Sequence, residues 1–179
     1  MTGAIRITTR NAGETQRLAG AFSGRLKAGD VICLDGELGA GKTVFTKGIA
    51  VGLGIEEMIS SPTFMLVMEH ENPGGLSLFH FDAYRLGGAD DFFDSGLEEY
   101  FYGGGVCVVE WGMMIADVFR HFPDSRVLYI HITSVSETER EFLFSCSPER
   151  EEEMRFFVEE WGIVREKWDR RGNYADTGL

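Results

Sequence analysis

Gly36-Glu37-Leu38-Gly39-Ala40-Gly41-Lys42-Thr43 fits the phosphate-binding loop pattern G-x-x-x-x-G-K-[ST] residue for residue. Its flanks fit as well. Val31-Ile32-Cys33-Leu34 reads as a short buried strand, and Val44 to Leu53 reads as a helix that begins near Lys42. That order has a physical reason. A strand delivers the chain to a tight turn, where glycines let several backbone N–H groups of residues 37–41 converge on one anion. The helix N-terminus then places its partial positive charge beneath the phosphates. In such a loop Lys42 reaches the β- and γ-phosphates and the Thr43 hydroxyl holds Mg²⁺. A chance Gly-rich turn would have no need of the strand before it and the helix after it. The stretch therefore predicts a nucleotide-binding α/β domain.

A chain of 179 residues predicts one domain with a substantial core. Hydrophobic residues at 44% and charged residues at 26% are ordinary globular values, which argues against bulk disorder. The formal charge of −12 argues against a broad basic surface that grips nucleic acid. DNA binding is not expected, and any link to RNA should run through a partner. Cys33, Cys107 and Cys146 lie far apart in apolar runs with no C-x-x-C spacing, so buried reduced thiols are expected rather than zinc or redox chemistry. No charged-then-apolar leader or run of 18 apolar residues is visible, which predicts a soluble cytoplasmic protein without membrane contact.

Outward from the loop, Ala4 to Thr9 reads as an opening strand, and Asn11 with Glu14 three residues later forms a capping-box pattern. Leu18, Ala19, Phe22 and Leu26 then recur at helical spacing, and Phe45, Ile49 and Leu53 do so after the loop, with Gly52 and Gly54 punctuating that helix's end. Ser60-Ser61-Pro62-Thr63-Phe64 is a turn by composition. It reads either as a plain connector or as a switch-like loop that brings the Thr63 hydroxyl to the γ-phosphate or metal. Phe64 to Glu69 and Leu76 to Phe81 read as an antiparallel hairpin, so the sheet should be mixed. Asp82 falls where the second strand ends, as a catalytic or metal-linked carboxylate or equally as a cap. His80 reads as a packed or surface strand histidine.

Ala89 to Tyr102 suits one or two short helices broken near Ser95-Gly96. Val106 to Trp111 is a continuous apolar strand ending in Glu110, hence central. An acid at the end of a strand beside the phosphate loop can organise Mg²⁺ or polarise water; otherwise it simply emerges into solvent. On sequence alone Trp111 favours the core. Ile115 to Phe122 reads as a helix, and Arg126 to Thr133 and Arg140 to Ser145 as two strands around a polar turn. Ser147-Pro148 opens a last helix with Met154, Phe157, Val158, Trp161, Val164 and Trp168 on one face, before a tail from Arg170. Residues 1–147 are expected to form the P-loop domain, with the helix and tail of 148–179 packed upon it.

Taken together, the Gly36–Thr43 loop, Ser61-Pro62-Thr63-Phe64, His80-Phe81-Asp82-Ala83-Tyr84-Arg85-Leu86 and Val109-Glu110-Trp111 resemble the bacterial TsaE (YjeE) family. The resemblance runs from about Ile5 to Ile132. It implies an ATPase that takes ATP and Mg²⁺ and releases ADP, with Lys42 and the loop amides of Glu37, Leu38, Gly39, Ala40 and Gly41 on the phosphates. It also implies Thr43 and Glu110 on Mg²⁺, Asp82 in the catalytic acidic set, Thr63 in a switch-like loop and Trp111 beside the nucleotide. By a looser likeness, the segment from Thr9 to Thr15 approaches the base. The family's partners are TsaD, which transfers threonylcarbamoyl to adenosine 37 of tRNAs reading codons that begin with A, and TsaB. ATP hydrolysis is thought to reset that assembly, and tRNA is met only through it. The family often has proline after the Glu-Trp pair, where this chain has Gly112.

The fold class expected is α/β, a single three-layer α/β/α P-loop domain with a mixed central sheet. Catalysis would fall to Lys42, Asp82 and Glu110, and Mg²⁺ to Thr43, Glu110 and Asp82. The rival reading is a small-molecule P-loop kinase, which would need an acceptor pocket and an Arg-bearing lid. Between Trp111 and Arg140 the candidate arginines are Arg120 and Arg126. A nucleotide-binding adaptor without useful hydrolysis is a third class, and it would tolerate loss of Asp82 and Glu110.

Overall fold

A computed structural model describes residues 4–62 and 64–166, of which 163–166 are described by backbone alone. The strand before the phosphate loop, β2 (Val31–Gly36), is central because both of its faces are apolar. Ile32 and Leu34 enter one core and Val31 and Cys33 the other, the period-2 alternation of a strand buried on both sides. Its parallel neighbours are β5 (Val106–Glu110) and β6 (Val127–Ser134). Around them lie β1 (Ile5–Thr9), β3 (Val67–His70), β4 (Leu78–Asp82) and β7 (Arg140–Ser145), in the order β1-β7-β6-β2-β5-β4-β3. β3 pairs antiparallel with β4, and β7 antiparallel with both β6 and β1, so the sheet is mixed as expected.

One face of the sheet carries α1 (Ala12–Ser23), α2 (Lys42–Leu53) and α5 (Pro148–Glu166). Asn11 caps α1, its side chain accepting from the Glu14 N–H at 2.8 Å. The Glu14 carboxylate reaches past the cap to the Arg10 N–H at 2.7 Å, so the capping box is shifted by one residue on that side. α5 buries Met154, Phe157 and Trp161, and the Phe157 ring meets Phe22 of α1 at 5.6 Å and Phe144 of β7 at 6.2 Å. Val164, Trp168 and the tail from Arg170 lie outside the described side chains. The opposite face carries α3 (Ala89–Asp94), α4 (Ala116–Phe119) and the 3₁₀ turns Leu97–Tyr102 and Gly112–Ile115, with Phe92, Phe101 and Phe119 at their centre. Three layers result.

Several boundaries differ from those read off the sequence. β3 starts at Val67 rather than Phe64, because Leu66 takes a left-handed conformation (φ 62°) and the Met65 N–H bonds back to Pro62. β5 ends at Glu110 because Trp111 also turns left-handed, at φ 59°. The helix expected over Ile115 to Phe122 shortens to α4 behind a 3₁₀ turn. Gly52 does not end α2; it lies within the helix, where a Cβ would meet the Gly20 carbonyl of α1 at 2.5 Å. Gly54 does end it, in a left-handed cap whose N–H bonds to Ala50 and Val51. The three cysteines are free and buried, and burial pushes each thiol up.

Candidate functional site

The site forms at the C-terminal ends of β2, β4 and β5, where three neighbouring strands deliver their last side chains to one edge. β2 ends at Gly36, whose φ of 143° brings the backbone so near β6 that a Cβ would sit 2.5 Å from the Ile132 carbonyl. Gly39 (φ 79°) and Gly41 (φ 106°) then turn left-handed over open space, which curls the loop's amides inward above the start of α2. Glu37 and Leu38 form its exposed tip. Ala40 is buried beneath: its N–H bonds to the Glu37 carbonyl at 3.0 Å.

Lys42 occupies the loop's concave side. Its Nζ donates to the carbonyls of Gly36 (2.7 Å) and Glu37 (3.0 Å) and lies 3.7 Å over the Trp111 ring. Burial lowers its pKa, while the charges of Glu110, Asp35 and Asp82 act to raise it. Past the left-handed turn at Trp111 the half-buried ring packs at the edge of the core and faces this ammonium, and the Tyr84 ring packs against it with ring centroids 5.1 Å apart. Thr43 donates from its hydroxyl to the Glu110 carboxylate, at 3.0 Å to Oε1 and 3.3 Å to Oε2. Glu110 does not emerge into solvent; it is 3% exposed.

Asp82 stands opposite Glu110 in the β4–β5 register, itself 5% exposed. The capping reading of Asp82 holds, and the residue also reaches the cleft. Its Oδ1 caps the 3₁₀ turn Ala83–Arg85 by accepting from the Tyr84 N–H at 3.0 Å, and its side chain lines the cleft. That cleft has a volume of about 560 Å³ and brings together Leu38, Gly39, Gly41, Lys42, Thr43, Ser61, Asp82, Tyr84, Glu110 and Trp111. Thr63 lies outside the described residues. A second hollow of about 210 Å³ adjoins it across Gly39, Gly41 and Val44, lined by Asn11, Ala12, Thr15, Glu137, Thr138 and Arg140. Thr15 faces this hollow. Thr9 does not: it is buried, and its hydroxyl bonds to that of Thr15 at 2.7 Å.

Two residues join the site that the sequence reading leaves out. His80 is fully buried, and its Nε2 bonds to Glu110 Oε1 at 2.8 Å. Arg140 of β7 donates from Nε to the Ala40 carbonyl at 2.9 Å and from Nη1 to the carbonyls of Ser136 and Glu139, so it ties the β6–β7 turn to the phosphate loop. The available signal for His80 was strand alternation, which sets it on the same face of β4 as Asp82. Arg140 had none, since its partner lies 100 residues away.

The donor set suits Mg²⁺. Among the described residues no three His, Cys, Asp or Glu side chains form a metal cluster on their own. Thr43, Glu110 and Asp82 instead present hard oxygens at one side of a phosphate cradle, as fits an ion that keeps phosphate and water in its sphere. Among the described residues no helix is long and apolar enough to cross a membrane.

The profile of the family described as "Threonylcarbamoyl adenosine biosynthesis protein TsaE" matches residues 9–142. A Bacillus subtilis protein, the tRNA threonylcarbamoyladenosine biosynthesis protein TsaE, is 45% identical over 83% of this chain and 89% of its own length. The Treponema pallidum protein of the same name is 48% identical over 63% of this chain and 82% of its length. Among solved structures, Bacillus subtilis YdiB superimposes with a TM-score of 0.71 at 39% identity, covering 91% of this chain and 97% of its own.

Proposed function

Since the chain belongs to the TsaE family of tRNA threonylcarbamoyladenosine biosynthesis proteins, we propose that it is an ATPase of that system. In this reading it binds ATP with Mg²⁺ in the cytoplasm, hydrolyses it slowly to ADP, and acts with TsaD and TsaB in threonylcarbamoylation of adenosine 37 of tRNAs reading codons that begin with A. The observation that carries the ATPase reading is the Thr43–Glu110 hydrogen bond beneath the phosphate loop, with Asp82 beside it in register. A fold built only to bind nucleotide has no need of two nearly buried carboxylates there, since their desolvation is costly.

Each residue then has a physical task. The Gly39–Gly41 curl offers amides to the phosphates, and Lys42 supplies a cation that its partly buried position makes stronger than in water. Thr43 and Glu110 would hold Mg²⁺, which when bound neutralises charge developing on the phosphates. Asp82 would orient the attacking water and accept its hydrogen bond. Leaving Lys42 against the Trp111 face keeps the ammonium oriented before phosphate arrives. The hollow at Thr15 and Arg140 suits the base, which sits on the far side of the loop from the carboxylates.

The kinase rival loses support from its own arginines. Arg126 donates to the carbonyls of Gly29 (2.6 Å) and Phe101 (2.5 Å), and Arg120 pairs with Asp117 at 3.1 Å on the surface. Neither forms a lid. The decisive experiment is multi-turnover formation of the modified adenosine by TsaD, TsaB, tRNA and threonylcarbamoyl-AMP, with and without this chain and ATP. Wild type should raise the turnovers per TsaD and Lys42→Ala should not. If neither changes the yield while nucleotide still binds, the proposed role is wrong and an acceptor screen for a kinase becomes the next step.

A further inference from the structure

We propose that His80 is a positioning residue for the metal-binding carboxylate, holding Glu110 in the orientation that Thr43 and a divalent cation require. This rests on the ATP·Mg²⁺ reading above and adds a residue to it.

The strands impose the placement. Leu78, His80 and Asp82 alternate onto one face of β4, and Val106, Val108 and Glu110 onto the same face of the adjoining β5. His80 pairs in register with Val108, one pleat short of Glu110, so the imidazole reaches diagonally to the carboxylate. Its Nε2 lies 2.8 Å from Oε1, and the ring is 0% exposed. The same oxygen accepts the Thr43 hydroxyl at 3.0 Å. Oε1 thus has a donor from each side, one on α2 and one on β4, which leaves the carboxylate little rotational freedom about its last torsion.

The other ring nitrogen sharpens the assignment. His80 Nδ1 is buried with no hydrogen-bond partner among the described residues. A buried polar atom left alone is unfavourable, so a ring retained only for packing would be better replaced by an apolar one. The bond to Glu110 is what the ring gains in exchange. Because Glu110 is acceptor-only when ionised, Nε2 carries the proton in that bond. Partners of this kind, one bond behind a ligand, typically change metal affinity 10–100-fold when removed. His80 itself does not line the cleft. Its effect should therefore fall on the metal and not on the nucleotide itself.

The test titrates a fluorescent mant-ATP against the purified full chain, once in EDTA and once across a Mg²⁺ series. Variants are His80→Ala, His80→Gln and His80→Asn, each checked by thermal melting. Nucleotide affinity in EDTA should stay within about twofold of wild type for all three, while the Mg²⁺ concentration for half-maximal enhancement rises about tenfold or more in His80→Ala. His80→Gln, whose amide nitrogen can occupy the Nε2 place, should restore most of the Mg²⁺ response, and the shorter His80→Asn should not. Should His80→Ala fail to fold, the Gln and Asn pair decides on its own. A Mg²⁺ response in His80→Ala or His80→Asn equal to wild type overturns the proposal, as does a loss that His80→Gln leaves unrepaired. Wild type that binds no mant-ATP at all would overturn the ATP reading itself, and this inference with it.

Discussion

Gly112 follows Trp111 where the TsaE resemblance more often sets proline, and its surroundings say why this chain does otherwise. A Cβ at 112 would sit 2.6 Å from Cys33 Sγ and 3.2 Å from Cys33 Cα. The thiol occupies the space that a ring or methyl would need, so glycine at 112 and cysteine at 33 are one packing solution. Gly112→Ala should lower stability by about 1–3 kcal/mol through overpacking against a strand. Adding Cys33→Ala should return part of that loss, but not all, because the close Cα remains. Denaturant unfolding of the two variants and the double variant measures it, and a Gly112→Ala midpoint equal to wild type would remove the argument. At this scale the sequence was a good guide wherever chemistry sits in consecutive positions or at a strand's end. Lys42, Thr43, Asp82 and Glu110 all converge on the cleft expected of them. It was a poor guide where one residue answers to another far along the chain. His80 is 30 residues from Glu110, and only the order β2-β5-β4 makes them neighbours. Within the segment from Thr9 to Thr15 the local sequence did not distinguish the two threonines: Thr9 is buried with its hydroxyl bonded to that of Thr15, and Thr15 is the one that faces the hollow.

Between elements, α1 and α2 approach each other closely, and the approach depends on residues without side chains. A Cβ at Gly48 would collide with the Gln16 carbonyl and come within 2.6 Å of Ala19 Cβ; one at Gly52 would meet Gly20 of α1. α2 carries the phosphate loop at its N-terminus, so this contact fixes the direction in which Lys42 and Thr43 project. Alanine favours helix over glycine by roughly 1 kcal/mol, yet Gly48→Ala should destabilise by about 1–3 kcal/mol because the helices must separate. It should also weaken nucleotide binding although it touches no nucleotide. Parallel melting and mant-ATP titrations would show both, and a variant more stable than wild type would mean that propensity outweighs the contact. The helical spacing of Phe45, Ile49 and Leu53 made α2 itself legible, but a glycine in a helix carries no mark of whether it ends the helix or admits a neighbour. The same ambiguity shifted β3. Phe64 to Val67 are all strand-compatible residues, and nothing local announces that Leu66 will turn left-handed. Hydrophobic period shows that an element exists; the dihedrals at its ends answer to tertiary packing.

For the molecule as a whole, the question is whether α5 is an appendage to the P-loop unit or part of it. Its apolar face enters the same core as the phosphate-loop strand, with Phe157 against Phe22 and Phe144. Its N-terminus is also tied by a buried ion pair. Arg150 donates to Asp30 Oδ2 at 2.7 Å and to the Arg25 carbonyl at 2.7 Å, with side-chain exposures of 6% for Arg150 and 5% for Asp30. Asp30 in turn accepts from the Lys27 N–H at 2.9 Å, so the turn leading into β2 and the start of α5 share one carboxylate. In a chain with a formal charge of −12, leaving that carboxylate buried without its cation should be especially unfavourable. Arg150→Ala should therefore cost about 3–5 kcal/mol. The double variant Arg150→Ala with Asp30→Ala should be less destabilised than Arg150→Ala alone, since it removes the uncompensated charge. If α5 belongs to the same cooperative unit, urea unfolding followed by far-UV circular dichroism should coincide with that followed by tryptophan fluorescence. Trp111 reports from the cleft and Trp161 from α5; with the third tryptophan removed by Trp168→Phe, adding Trp161→Phe or Trp111→Phe isolates the other reporter. One shared midpoint, moved as a whole by Arg150→Ala, would make the C-terminal helix a structural wall of the nucleotide-binding unit. Two separate midpoints, with only the Trp161 signal moved, would make α5 a separable attachment and would free the P-loop site from any dependence on it.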